Sequence, residues 1–141
     1  MAKFFGSIFM RIWFPVIAYS GIIFIASCVP NLTTSVSGIE WDKLLHIIEY
    51  APLGLLIARA ICACWAPMPR SALIGWVALF SSLYAVSDEF HQSSVPGRNA
   101  SGYDLVADTV GGMIGGYIYI GFLRGSIKKR SEKNHAEHKA V

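Results

Sequence analysis

A chain of 141 residues is one domain long, and with 54% of them hydrophobic and 15% charged it is too apolar for an ordinary soluble domain. The mean hydropathy of +0.48 comes from long apolar blocks rather than scattered residues, which marks an integral membrane protein. A net charge of +3 and a pI near 8.8 would suit nucleic acid, but the basic residues stand at the ends of apolar runs and in the tail, so they read as topology signals and no nucleic-acid partner is expected.

Four apolar segments, residues 8–29, 44–66, 71–90 and 103–123, each reach the ~20 helical residues needed to cross a bilayer core. No stretch shows the alternation of a membrane barrel. The first segment has a basic start and carries Ile25-Ala26-Ser27-Cys28, which resembles a lipoprotein processing box; cleavage there would lipidate Cys28 and leave three spans. Pro15 and Tyr19 interrupt its apolar middle and it is long enough to cross unprocessed, so it is read as a span. The other two cysteines, Cys62 and Cys64, lie inside an apolar run without the spacing of a zinc site and are expected to pack as small hydrophobes.

After the first span comes a polar loop, residues 30–41, containing Asn31-Leu32-Thr33, a glycosylation pattern shared by Asn99-Ala100-Ser101. Ser37-Gly38-Ile39-Glu40 is a capping-box pattern that starts the second helix near Ile39, and Pro67, Pro69 and Arg70 make a tight turn into the third. Pro96-Gly97 turns the chain again, and Ser101-Gly102-Tyr103-Asp104 repeats the capping pattern at the start of span four. In that span Gly111 and Gly112 precede Gly115 and Gly116 by one helical turn, a spacing that lets helices approach closely in lipid. The domain is drawn as residues 1–125, followed by a basic tail, 126–141, expected to be disordered and cytoplasmic.

Ten of the twelve basic residues fall on one side of a four-span arrangement and only Lys43 and Arg98 on the other, which places both termini in the cytoplasm. Glu40, Asp42, Glu49, Asp88, Glu89, Asp104 and Asp108 gather on the outward side. At 3.6 residues per turn, Asp42, His46, Glu49 and Leu53 form one stripe, flanked by Tyr50 and Lys43. Ser81, Tyr84, Asp88 and Gln92 form another with His91 at its edge, and Asp104 and Asp108 align with Gly111 and Gly115. Caps and surface pairs account for Glu40, for Glu89 exposed at the interface, and for Arg98 paired with Asp104 or Asp88. They do not account for Glu49 or Asp108, a turn or more deeper, where a charge must be paired, hydrated or bound to a cation. His46, Glu49, Asp88, His91 and Asp108 have metal-ligand chemistry but no compact hydrolase motif, so no metal site and no cofactor is assigned and a divalent ion stays an alternative.

Asp42-Lys43-Leu44-Leu45-His46 with Tyr50, Leu53 and Gly54, then Ser87-Asp88-Glu89-Phe90-His91-Gln92 with Val95-Pro96-Gly97-Arg98, then Asp104, Ala107 and Gly111 through Gly116, together resemble the VanZ-like family of small bacterial membrane proteins. Tyr19 to Ser27 and Pro30 also resemble the family's first span. The resemblance implies an envelope protein whose founding relative is linked to glycopeptide resistance, notably to teicoplanin. Asp108 stands where relatives often carry asparagine.

The expected fold is therefore an all-α membrane protein, a four-helix transmembrane bundle with a polar pocket opening to the extracytoplasmic side. Its ligand-binding candidates are Asp42, Lys43, His46, Glu49, Tyr50, Asp88, Glu89, His91, Gln92, Arg98, Asp104 and Asp108. Two functions are in view. In the first the pocket binds an anionic lipid headgroup or lipid-linked precursor, with Lys43 and Arg98 on the anion and Gln92 and Tyr50 orienting it. In the second, an intramembrane enzyme uses Glu49 or Asp88 as base and His46 or His91 as acid or metal ligand on a lipid-linked phosphate or ester. Oligomeric state is left open.

Overall fold

The structure, a computed structural model, describes residues 2–29, 39–96, 98 and 101–139. Among them are four helices and no strand: α1 (Ala2–Ser27), α2 (Ile39–Cys64), α3 (Arg70–Gln92) and α4 (Gly102–Lys139). Each contains a stretch long and apolar enough to cross a membrane: Phe9–Ser27, Trp41–Cys64, Arg70–Gln92 and Gly102–Leu123. Pro30, Asn31-Leu32-Thr33, Ser37 and Gly38 of the first capping pattern, Gly97, Asn99 and Ala100 lie outside the described residues.

The helix ends follow the punctuation in the sequence. Pro69 stands extended (φ −63°, ψ 151°) directly before α3, which its fixed φ and missing N–H suit it to do. The α3 C-terminus tightens, with the Ser94 and Val95 N–H groups donating to the His91 and Gln92 carbonyls at 3.0 and 2.9 Å. At the start of α4, Ser101 Oγ accepts the Tyr103 N–H at 3.3 Å, but the reciprocal acid is not Asp104: the Ser101 N–H donates to Glu89 Oε2 at 2.8 Å. Asp104 is drawn away to Lys43, so an acid from α3 completes the cap and ties the α3–α4 turn to its own helix.

α2 runs through the middle of the bundle. Its Tyr50, Leu53, Ile57 and Ile61 are buried with Leu73, Ile74 and Val77 of α3, Ile120 of α4 and Ile23 of α1. Around this core stand exposed large apolar side chains such as Ile48, Leu83, Phe90, Val106 and Phe122, a surface that suits lipid and not water. Cys62 and Cys64 also face outward instead of packing in the core, because they sit in the last turn of α2 where the bundle opens.

The α4 glycines serve two seams. A Cβ at Gly111 would lie 2.5 Å from the Ile47 carbonyl oxygen, and one at Gly115 would overlap the Ala51 carbonyl, so this face is pressed on the α2 backbone. Gly112 and Gly116 instead receive α3, through Ser81 and through Ile74 and Val77, while Gly54 of α2 meets the Gly112 backbone. Without hydrophobic drive between spans, this close approach supplies the dispersion contact that holds α2, α3 and α4 together.

α1 is held differently, by side chains that reach backbone carbonyls across its contacts. Pro15 has no N–H for the Arg11 carbonyl one turn back, and Arg59 of α2 donates to that oxygen at 2.7 Å. Tyr84 donates to the Ser20 carbonyl at 2.5 Å, and Tyr19 donates to the Glu49 carbonyl at 3.0 Å. Arg98 reaches the carbonyls of Val29 at 3.3 Å and Ala26 at 3.5 Å, satisfying the end of α1.

The expected disordered tail is corrected by α4, which continues past Gly125 to Lys139. Residues 126–139 contain no proline or glycine and are rich in Lys, Glu, Ala and Arg, all strong helix formers, so nothing ends the helix where it leaves the apolar stretch.

Candidate functional site

At the end of the bundle that carries the acids, α2 and α4 run parallel and side by side, brought into contact by Gly111 and Gly115 one and two turns below Asp108. Two α2 cations, or potential cations, meet two α4 acids there. Lys43 Nζ pairs with Asp42 at 3.0 Å and with Asp104 of α4. One turn deeper, His46 Nδ1 donates to Asp108 Oδ1 at 2.9 Å, leaving Nε2 3.9 Å from Asp104 Oδ2. Asp104, Asp108 and His46 are all buried, Asp108 to 1% exposure, so each charge or dipole depends on these partners. The deep aspartate that caps cannot explain is thus answered by an imidazole on the neighbouring helix.

Beside this ladder, on the other side of His46, a pocket of about 530 Å³ opens between α1, α2 and α3. Its polar wall is His46, Glu49, Asp88, Gln92 and Arg98; its apolar wall is Leu45, Ile48 and Pro52, with Tyr19, Ala26 and Ser27 contributed by α1. Asp88 is 4% exposed; Oδ2 accepts from Gln92 Nε2 at 2.9 Å, while the buried Oδ1 has no partner. Leu45 and Ile48 are exposed on the outside of the bundle, so the apolar rim is continuous with the lipid-facing surface. A wider recess of about 700 Å³ at the opposite end is lined by Arg59, Arg70, Trp65, Tyr119, Cys62 and apolar residues and brings no carboxylate or imidazole.

The candidates read from sequence therefore divide. His46, Glu49, Asp88, Gln92 and Arg98 share the pocket, and Asp42, Lys43, Asp104 and Asp108 form the ladder next to it. Tyr50 lines neither: it is fully buried, its ring centroid 6.1 Å from Tyr84, with its hydroxyl unpartnered among the described residues. Glu89 caps α4 as described and is not an exposed interface acid. His91 stacks near Phe24, centroids 4.2 Å apart, with Nε2 3.2 Å from Cys28 Sγ, away from the pocket lining. Arg98 pairs with neither Asp88 nor Asp104, because the open carbonyls at the end of α1 draw its guanidinium. The anion-binding pair imagined from Lys43 and Arg98 is likewise separated, since Lys43 lies on Asp42 and Asp104 and does not line the pocket.

The residues closest to a metal-ligand set are Asp42, His46 and Asp104, which each offer a ligand atom within 4.8 Å of the others. The Lys43 ammonium already contacts both aspartates, so a divalent ion would have to displace a resident cation. The wall contributed by α1 and by Leu45, Ile48 and Pro52 was not foreseen. For Tyr19 a signal existed, a phenol interrupting an apolar run; Ala26, Leu45 and Ile48 carry none, because lining a pocket and facing lipid use the same residue types.

The family profile described as VanZ/LLP1 matches residues 3–124, most of the chain and all of its apolar spans. No curated protein and no solved structure matches it.

Proposed function

The chain belongs to the VanZ/LLP1 family, and from that premise we propose that this envelope membrane protein is a binding protein: its pocket holds the headgroup of a lipid or lipid-linked precursor that enters sideways from the bilayer. The carrying observation is the join of two surfaces in one pocket of about 530 Å³, a polar wall of Glu49, Asp88, Gln92, His46 and Arg98 and an apolar rim that runs out to lipid. An amphiphile matches both halves at once, headgroup to the polar wall and chain to Leu45, Ile48 and Pro52. The excess of basic residues at the other end argues that this pocket lies at the extracytoplasmic side of a bacterial inner membrane. A lipid-linked cell-wall precursor is one such amphiphile, which is where this reading meets the glycopeptide resistance associated with the family's founding relative.

The enzymatic alternative draws less support. Of its candidate acids and bases, His91 lies against Cys28 outside the pocket, which leaves His46 alone, lining the pocket with Glu49 and Asp88 while its Nδ1 is held by Asp108. The test is lipid retention. Native mass spectrometry of protein released from bilayers should show a bound lipid that Ala26→Trp, which fills the pocket, removes and that Leu79→Trp, on the exposed face of α3, leaves in place. Equal retention by both variants would contradict a headgroup in this pocket.

A further inference from the structure

Resting on the amphiphile reading above, we propose that the headgroup held in the pocket carries a primary ammonium, seated between Glu49 and Asp88, and is therefore not simply anionic. The wall is rich in acceptors and poor in free donors. Glu49 and Asp88 bring two carboxylates, and Asp88 Oδ1, on a side chain 96% buried, has no hydrogen-bond partner. Pro52 adds another acceptor: having no N–H, it cannot take up the carbonyl of Ile48 one turn back, and both residues line the pocket.

Among the described residues no cation gives a hydrogen bond to either carboxylate. Lys43 lies on Asp42 and Asp104 and His46 Nδ1 donates to Asp108, while Arg98 lines the pocket with its charge near Glu49 but donates to the Val29 and Ala26 carbonyls. A buried acceptor left without a donor is costly, and an ammonium presents three N–H groups to Glu49, Asp88 Oδ1 and the Ile48 carbonyl. Arg98 lines the same pocket with a buried Nε that has no partner, a place for the phosphate that an amine-bearing lipid also carries. The pattern fits a zwitterionic headgroup, amine on the α2–α3 acids and phosphate toward the α1 end. A quaternary ammonium, which has no N–H, fits poorly, as does a headgroup of hydroxyls and phosphate alone.

The full chain in nanodiscs of defined lipid tests this by native mass spectrometry. Phosphatidylethanolamine should be retained about tenfold over both phosphatidylglycerol and phosphatidylcholine, the scale of one charge-assisted hydrogen bond. Glu49→Gln and Asp88→Asn should each reduce that preference toward unity, and the comparison of headgroups on the unaltered protein needs no variant to fold. Soluble phosphoethanolamine should displace the lipid if the headgroup is recognised without its chains; a polyprenyl-linked peptide with a free side-chain amine displacing it better would assign the amine to a precursor. Retention of phosphatidylglycerol equal to or above phosphatidylethanolamine would overturn the ammonium while leaving the amphiphile reading intact. Retention of none of the three lipids and of no precursor would overturn both.

Discussion

Lys43 and His46 sit one turn apart on α2, and each answers one acid of α4, but they do so by different chemistry. Lys43 compensates Asp104 as a charge, and Asp104 is 6% exposed, so Lys43→Met should destabilise the bundle by about 3–5 kcal/mol, the cost of leaving a buried charge without its partner. Adding Asp104→Leu should restore most of that loss; thermal unfolding in detergent measures both, and a double variant as unstable as the single would show that the two are not coupled. His46 and Asp108 need only a donor and an acceptor at 2.9 Å. Asp108→Asn keeps the acceptor and should cost under about 1 kcal/mol, whereas Asp108→Ala strands a buried ring N–H and should cost about 1–3 kcal/mol. Equal losses from the two substitutions would mean that the carboxylate charge is required. Tyr50 offers the converse: its buried hydroxyl has no partner among the described residues, so Tyr50→Phe should leave unfolding unchanged or raise it.

At the scale of elements, two kinds of attachment hold the helices, and each makes a distinct prediction. Gly115 meets the Ala51 carbonyl of α2, so Gly115→Leu should lower stability by at least about 1–3 kcal/mol, while Gly121→Leu, with nothing within 4 Å of an added Cβ, should cost nothing. α1 depends on hydrogen bonds to its carbonyls, among them Arg59 to the oxygen that Pro15 leaves open. Arg59→Met should therefore weaken α1, and Pro15→Ala in the same chain should restore it, because an alanine N–H can take up the Arg11 carbonyl within the helix; amide exchange across residues 9–27 would report this, and persistent fast exchange in the double variant would refute it. Helix number, the start of α4 and the glycine seam were legible because each rests on local chemistry: apolar length, a capping residue, a small residue every four. The Arg59 contact was not, since nothing local tells an arginine at the end of a span from a topology signal. Nor did the basic tail betray its helix, because low hydropathy reads as disorder even where Lys, Glu, Arg and Ala favour a helical backbone and no proline or glycine interrupts it.

For the whole molecule, the stripe periodicity brought the right helices to one end but could not separate the ladder from the pocket. That division depends on rotation about α2, which places His46 between them, and on α1, whose apolar residues look the same whether they face lipid or a ligand. The 38 residues of α4 span about 57 Å at 1.5 Å each, so its basic end must project well beyond a bilayer core of about 30 Å. Reporter fusions after Met68 and Ser131 should be active on the cytoplasmic side and one after Ser94 on the opposite side; a reversed pattern would put the pocket in the wrong leaflet. In the proposed function lipid enters between α1 and α2 with its headgroup against α3. Crosslinking in bilayers with a lipid photoreactive near its headgroup, followed by peptide mapping, tests this. The predicted result is labelling concentrated on Tyr19, Ala26, Leu45, Ile48 and Pro52 and lost in Ala26→Trp; labelling spread evenly over exposed positions such as Leu83, Val106 and Phe122, and unchanged by that substitution, would contradict it.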